Sequence, residues 1–155
     1  GAASAVAIAS LIQGNASLTE CNVRGNQRVT SESATLLSKV AREKCVMLFG
    51  IKHDQTEVDF SGKGLRPADA ILIASDLTVS ASVTVTDMRY NMLDTESATM
   101  LANVAKEKGI SLCGIAHGQT EVDFSSNTTG HDMRPQDAIL LTADLAVRAS
   151  VTEVR

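Results

Sequence analysis

The chain has 155 residues, 44% hydrophobic and 21% charged, enough apolar material for one ordinary domain and too much for a disordered segment. Its formal net charge of −4 excludes the basic surface that non-specific nucleic-acid binding requires. Aromatic residues make up 3%, with no Trp, one Tyr (Tyr90) and three Phe (Phe49, Phe60, Phe124), so the core must be aliphatic and suited to thin, regularly packed layers.

The opening, GAASAVAIASLIQG, is apolar throughout and reads as a helix. It lacks the basic flank of a signal peptide, and no stretch of the chain is apolar for long enough to span a bilayer. ASLTECNVRGN (16–26) follows as an alternating strand ending on an Asn. SESATLLSKVAREK (31–44) has a helical apolar period at Ala34, Leu37, Val40 and Ala41, with Ser31 as its expected cap and Glu32 in the first turn, where the helix dipole favours acid. CVMLFGIKHD then reads as an additional buried extended segment, and QTEVDFS as a strand. RPADAILIASDL (66–77) is the next helix, with Pro67 in a first turn that tolerates proline. The series continues with ASVTVTDMRYN (81–91) as strand and TESATMLANVAKEK (95–108) as helix, Thr95 being its expected cap. A second extended segment, ISLCGIAHG, leads into QTEVDFS again, then RPQDAILLTADL (134–145) and a final strand near ASVTEVR.

This order is an internal repeat. Residues 31–44 match 95–108 at an offset of 64, and QTEVDFS keeps that offset from 55 to 119. The helix at 66 matches the one at 134 at an offset of 68, so four residues are inserted within SSNTTGHDMR, expected to be a surface loop. Inside the double repeat lies a smaller unit. Leu18, Cys21, Val23 and Asn26 fit L-x-x-L-x-L-x-x-N, as do Val83, Thr86, Met88 and Asn91, with Thr86 a weak match. Gln55 and Gln119 depart from that pattern at its first leucine, and Lys63 departs at its Asn.

The unit resembles the leucine-rich repeats of the ribonuclease-inhibitor type, and the resemblance covers the chain from Ala5 to Arg155. It implies an α/β leucine-rich-repeat solenoid, a horseshoe segment with parallel strands on the concave face and helices on the convex face. One domain of about five strand–helix units is expected over 1–155, with open or truncated ends because both ends stop within a unit. The usual binding surface of such proteins is the exposed strand face.

Alternation places Val58 and Phe60 on one face of TEVDFS and Glu57, Asp59 and Ser61 on the other, with Val122 and Phe124 opposite Glu121, Asp123 and Ser125. Stacked units would align Glu20, Glu57, Val85, Glu121 and Glu153 in one row. Asn22, Asp59, Asp87, Asp123 and Arg155 would form the next, and Arg24, Ser61, Arg89 and Ser125 a third. That face carries seven carboxylates against three arginines, an acidic docking surface for a protein with a basic patch. His53 and His117 belong to the turns before the strands, and an open, solvated ladder lacks the desolvated pocket that acid–base catalysis needs. No catalytic residue, metal or cofactor is expected. Oxygen ligands on neighbouring parallel strands seldom converge to a cage, His117 and His131 are the one pair of histidines that could meet, and GKG at 62–64 lacks phosphate-loop spacing.

Three cysteines without CxxC spacing read as reduced, buried thiols, and Asn15 and Asn127 head glycosylation sequons that matter only in a secreted chain. The expected function is a non-catalytic protein–protein interaction module or scaffold. The alternative is a structural accessory subunit, or a fragment of a larger organellar or membrane-associated assembly, packing through its edges or helix face; a hydrolase-type enzyme ranks third. Unpaired cysteines favour an intracellular, cytoplasmic location, with an organelle as the other possibility.

Overall fold

A computed structural model describes residues 1–125 and 130–155. The Asn127 sequon and most of the four-residue insertion lie outside the described residues. In chain order the elements are α1 (Ala2–Gly14), α2 (Ser31–Lys44), β1 (Glu57–Asp59), α3 (Pro67–Val79), β2 (Val85–Asp87), α4 (Thr95–Lys108), β3 (Glu121–Val122), α5 (Pro135–Val147) and β4 (Glu153–Val154). The architecture is α/β, with short parallel strands among the described residues. No helix among them is long and apolar enough to cross a membrane.

The helices begin and end for local reasons. Thr30 and Asp94, one residue before the expected caps Ser31 and Thr95, accept the backbone N–H groups of Ser33 and Ser97 at 3.2 and 2.8 Å. Glu32 and Glu96 sit in the first turns as expected. Pro67 and Pro135 open α3 and α5, while Asp69 and Asp137 accept the N–H of Arg66 and Arg134, each at 2.9 Å. Helix α4 stops at Gly109 in the left-handed region, φ 69°. Helix α2 stops in the same conformation at Cys45, φ 55°, where a side chain is strained. Cys45 is therefore exposed at a helix end, whereas Cys113 is buried and Cys21 half-buried.

Each helix packs on the next, α1 on α2 through to α4 on α5. Leu37, Leu72, Leu101 and Leu140 are fully buried in this layer, and Ala34, Ala41, Ala98 and Ala105 let the helices approach closely. Burying one such leucine contributes about 1.5–3 kcal/mol, so the helix stack holds more of the fold than the small sheet does.

The strand layer is smaller than expected, and its joints differ. Strand β1 pairs with β2 in the register Glu57 to Val85 and Asp59 to Asp87; β3 pairs with β4, Glu121 opposite Glu153. Residues 18–24, expected to be a strand, keep a bridge at Glu20. Their partner is the first extended segment: Cys21 and Val23 donate their N–H groups to the carbonyls of Met47 and Leu48, both at 2.8 Å. The second segment repeats this, since Thr86 and Met88 donate to Ser111 and Leu112 at 2.7 and 2.8 Å. Both segments thus join the strand layer.

Two buried carboxylates hold these segments in place. Asp76 on α3 accepts the N–H groups of Leu48 and Phe49 at 2.6 and 2.8 Å. Asp144 on α5 accepts those of Leu112 and Cys113 at 2.6 and 2.9 Å and the Ser111 hydroxyl at 2.6 Å. The glutamines at the first-leucine position close the turns before β1 and β3. Gln55 Oε1 accepts the Lys52 N–H and its Nε2 donates to the Glu57 carbonyl; Gln119 does the same with Ala116 and Glu121.

Candidate functional site

The alternation expected at β1 and β3 is present. Glu57, Asp59, Glu121 and Asp123 are exposed, while Phe60, Val122 and Phe124 are buried on the opposite side. The three rows do not run unbroken, however. Glu20 and Asn22 lie beside the 46–49 segment, and Val85 and Asp87 meet Ser111 and Cys113 on the edge away from β1. Two interposed segments therefore divide the face into three groups. The first holds Glu20, Asn22 and Arg24; the second Glu57, Asp59, Asp87 and Arg89; the third Glu121, Asp123, Glu153 and Arg155.

Ion pairing also tempers the acidity. Lys52 pairs with Glu20, Arg89 with Asp87, and Arg155 with Glu153 at 2.6 Å. The Arg89 fork is bidentate, its Nε donating to Asp87 Oδ1 at 2.9 Å. Burial alone would pull that guanidinium down, but the Asp87 carboxylate more than offsets it, so Arg89 stays charged well above its ordinary range. Asp59 accepts the hydroxyl and N–H of Ser61 at 2.7 and 2.8 Å, which holds its carboxyl below the usual value. Two arginines lie over aromatic rings. Arg24 stands 5.5 and 5.6 Å from the Phe49 and Phe60 centroids, and Arg89 stands 5.3 and 4.6 Å from Tyr90 and Phe124.

His53 and His117 occupy the turns before the strands, as expected, and His131 lies in the loop before α5. His53 Nε2 lies 3.3 Å from the Thr19 carbonyl, and His131 stacks on Tyr90 with centroids 4.9 Å apart. Among the described residues no group of three or more His, Cys, Asp or Glu side chains converges to hold a metal.

Apart from Arg89, the groups with the most clearly raised pKa are enclosed rather than displayed on this face. Burial lifts Asp76 to about 6 despite the amides that stabilise its ionised form, and lifts Asp144 and Cys113 as well. Sequence reasoning passed over Asp76, Asp144 and the buried Arg148, which donates to the carbonyls of Ile115, Gly109 and Thr84 at 3.2, 3.1 and 2.7 Å. A signal for the acids was present: each is the one charge within the apolar run of ASDL or TADL, at the same place in both copies.

Among solved structures, the chain is similar to the tropomodulin C-terminal domain of Caenorhabditis elegans, at 15% identity and a TM-score of 0.46, over 97% of this chain and 80% of that one. No protein-family model and no curated protein matches it. The functional reading therefore rests on this chain's own side chains.

Proposed function

We propose that the chain is a single leucine-rich-repeat domain over 1–155, of the ribonuclease-inhibitor type, which docks another protein on its exposed strand face and catalyses no reaction. The repeat reading is supported by Asn91, the Asn of the consensus. It is buried, accepts the N–H groups of Lys63 and Leu65 at 3.0 Å each, and donates to the carbonyls of Phe60 and Met88 at 2.9 and 2.8 Å. A side chain that ties one unit to the next in this way is what stacked repeats require.

The observation that carries the docking reading is the exposed acid at β1 and at and just after β3 in matching positions: Glu57 and Asp59, then Glu121 and Asp123. Charges spread over an open face suit complementarity to a basic partner better than proton transfer. The carboxyls displaced towards neutrality, Asp76 and Asp144, are enclosed and occupied by amides. The test is charge reversal by Asp59→Lys, Glu121→Lys and Asp123→Lys, with circular dichroism to monitor folding and cross-linking mass spectrometry to map the partner. The expected outcome is an intact fold and lost partner cross-links. A partner retained by the folded triple variant overturns the reading.

A second reading has its own observation. Val6 and Leu11 on α1 are 54% and 60% exposed, and Leu145 and Val154 at the other end of the stack are 39% and 44% exposed. An accessory subunit that packs through its ends would tolerate the charge reversal and lose its assembly on Val6→Asp with Leu11→Asp.

A further inference from the structure

The first and second strand–turn copies can be superposed by sequence at an offset of 65, which puts Asn22 on Asp87, Arg24 on Arg89 and Asn26 on Asn91. The backbone is held alike in both. Asn22 Oδ1 accepts the Arg24 N–H at 2.9 Å, and Asp87 Oδ1 accepts the Arg89 N–H at 3.1 Å. The far atom of each side chain faces a matching glycine. A Cβ at Gly50 would meet Asn22 Nδ2 at 2.8 Å, and one at Gly114 would meet Asp87 Oδ2 at 3.2 Å.

One atom then separates two outcomes. Asp87 Oδ2 accepts the Nη2 arm of the Arg89 fork, whereas Asn22 places an amino group, itself a donor, where that oxygen would be. Both arginines lie over two aromatic rings, Arg24 over Phe49 and Phe60, but among the described residues no carboxylate lies within ion-pair distance of Arg24. A guanidinium fixed on aromatic faces has lost much of its rotamer freedom before any ligand arrives, so little more is lost on binding.

The surroundings extend this charge. Three cations (Arg24, Lys63, Arg66) and one carboxylate (Asp69) line a depression of about 370 Å³ walled by Phe49, Leu65 and Met92. Arg66 is already committed, pairing with Asp69 at 3.4 Å and donating to the Gln27 carbonyl at 3.0 Å. The cations left for a ligand are Arg24 and Lys63, the latter also acting on Asp59. Met92, 63% exposed, offers apolar contact at the rim.

We propose that this depression is a subsite for an acidic side chain of a partner polypeptide, its carboxylate on the Arg24 fork and an adjacent apolar residue against Phe49, Leu65 and Met92. Asn22 is the residue that keeps the subsite open. A planar carboxylate matches the fork bidentately, and the apolar walls favour a peptide over a free anion. The subsite does not depend on the acidic strand face being the docking surface. Reversal at Glu121 and Asp123 alone, with Asp59 beside Lys63 kept, changes none of the residues that line it, so either reading can fail alone.

The test uses the whole chain, titrated with a short peptide of alternating Glu and Leu and followed by NMR at the Arg24 Nε–H and the amides of Gly25 and Gly64. Inorganic phosphate and a Lys–Leu peptide serve as separate arms. The acidic peptide is expected to shift these resonances. Asn22→Asp, which supplies the internal carboxylate while keeping the arginine stacked, is expected to weaken binding by roughly 10- to 100-fold. Asp87→Asn is expected to add a second response at Arg89. Unchanged binding by Asn22→Asp overturns the proposal, as does a phosphate response equal to that of the peptide.

Discussion

In the first half of the molecule Met47 occupies the position that Ser111 takes in the second, and the hydrogen bonds around it differ accordingly. Asp76 receives the amides of Leu48 and Phe49, with the Ile51 N–H also acting on it. In the second half the serine intervenes: Ile115 donates its N–H to Ser111 Oγ at 2.9 Å, and the hydroxyl donates to Asp144. A further difference follows the helix. Ser80 closes its own turn by accepting the N–H groups of Ser82 and Val83, whereas Arg148 at the matching place reaches across to three carbonyls. The buried carboxylate on the helix is the constant of the design; its outermost donor and the residue that follows the helix can change.

The largest expected effect tests that constant. Asp76→Asn or Asp144→Asn turns one acceptor oxygen into a donor facing backbone N–H groups, and each should cost about 3 kcal/mol in urea unfolding. A loss under about 1 kcal/mol at Asp144 would mean that Ser111 and Arg148 carry the second half without it. Ser111→Ala strips Ile115 of its acceptor and Asp144 of one donor, and should cost about 2 kcal/mol by the same measurement.

A smaller effect is expected with pH. The Asp76 carboxyl sits at about 6 when folded, against 3.8 as the ordinary value. Between those values the folded chain binds a proton that the unfolded chain does not, so the protonated form stabilises the fold and that contribution is lost as pH rises through 6. Acidifying from pH 7 to pH 5 should therefore add about 1 kcal/mol of stability from Asp76, and Asp76→Asn should remove that part, leaving the contribution of Asp144, which is raised in the same direction. Asp59 and Asp94 are shifted down and act oppositely, losing their stabilisation only below the ordinary carboxylate value. The smallest change compares the ends of α2 and α4. Cys45→Gly should stabilise the chain by about 0.5–1 kcal/mol by relieving the left-handed residue that Gly109 adopts without strain. No gain in thermal unfolding would mean that the cysteine side chain is held by contacts worth as much.

Much of the fold was legible because repeats announce themselves. The 64-residue offset, the helical period at Leu37 and Leu101, and the alternation about Val58 and Phe60 each translate into observed elements. Continuity of the face was not legible. Pairing between 18–24 and 46–49 depends on Asp76, thirty residues or so further on, and an acid in a helical apolar run does not say which amides it will meet. The caps at Thr30 and Asp94 were missed by one residue because Thr-Ser and Asp-Thr each offer two capping side chains in a row. At the candidate site the exposed acids followed from alternation, whereas the stacking of Arg24 on two rings from other segments could not.

The buried carboxylates also set the step in which this chain can change length. Asp76 sits on α3 but serves the amides that follow α2; Asp144 sits on α5 but serves those that follow α4. Removing one helix with its strand would therefore strand either an acid or a row of amides in the interior. Excising residues 31–94, one full offset of 64, splices Thr30 directly to Thr95 and, with one extra residue left in the loop, brings Thr19 to the place of Thr84, whose carbonyl Arg148 needs. The indivisible quantum of this architecture is a pair of units, and duplication or loss should proceed in pairs.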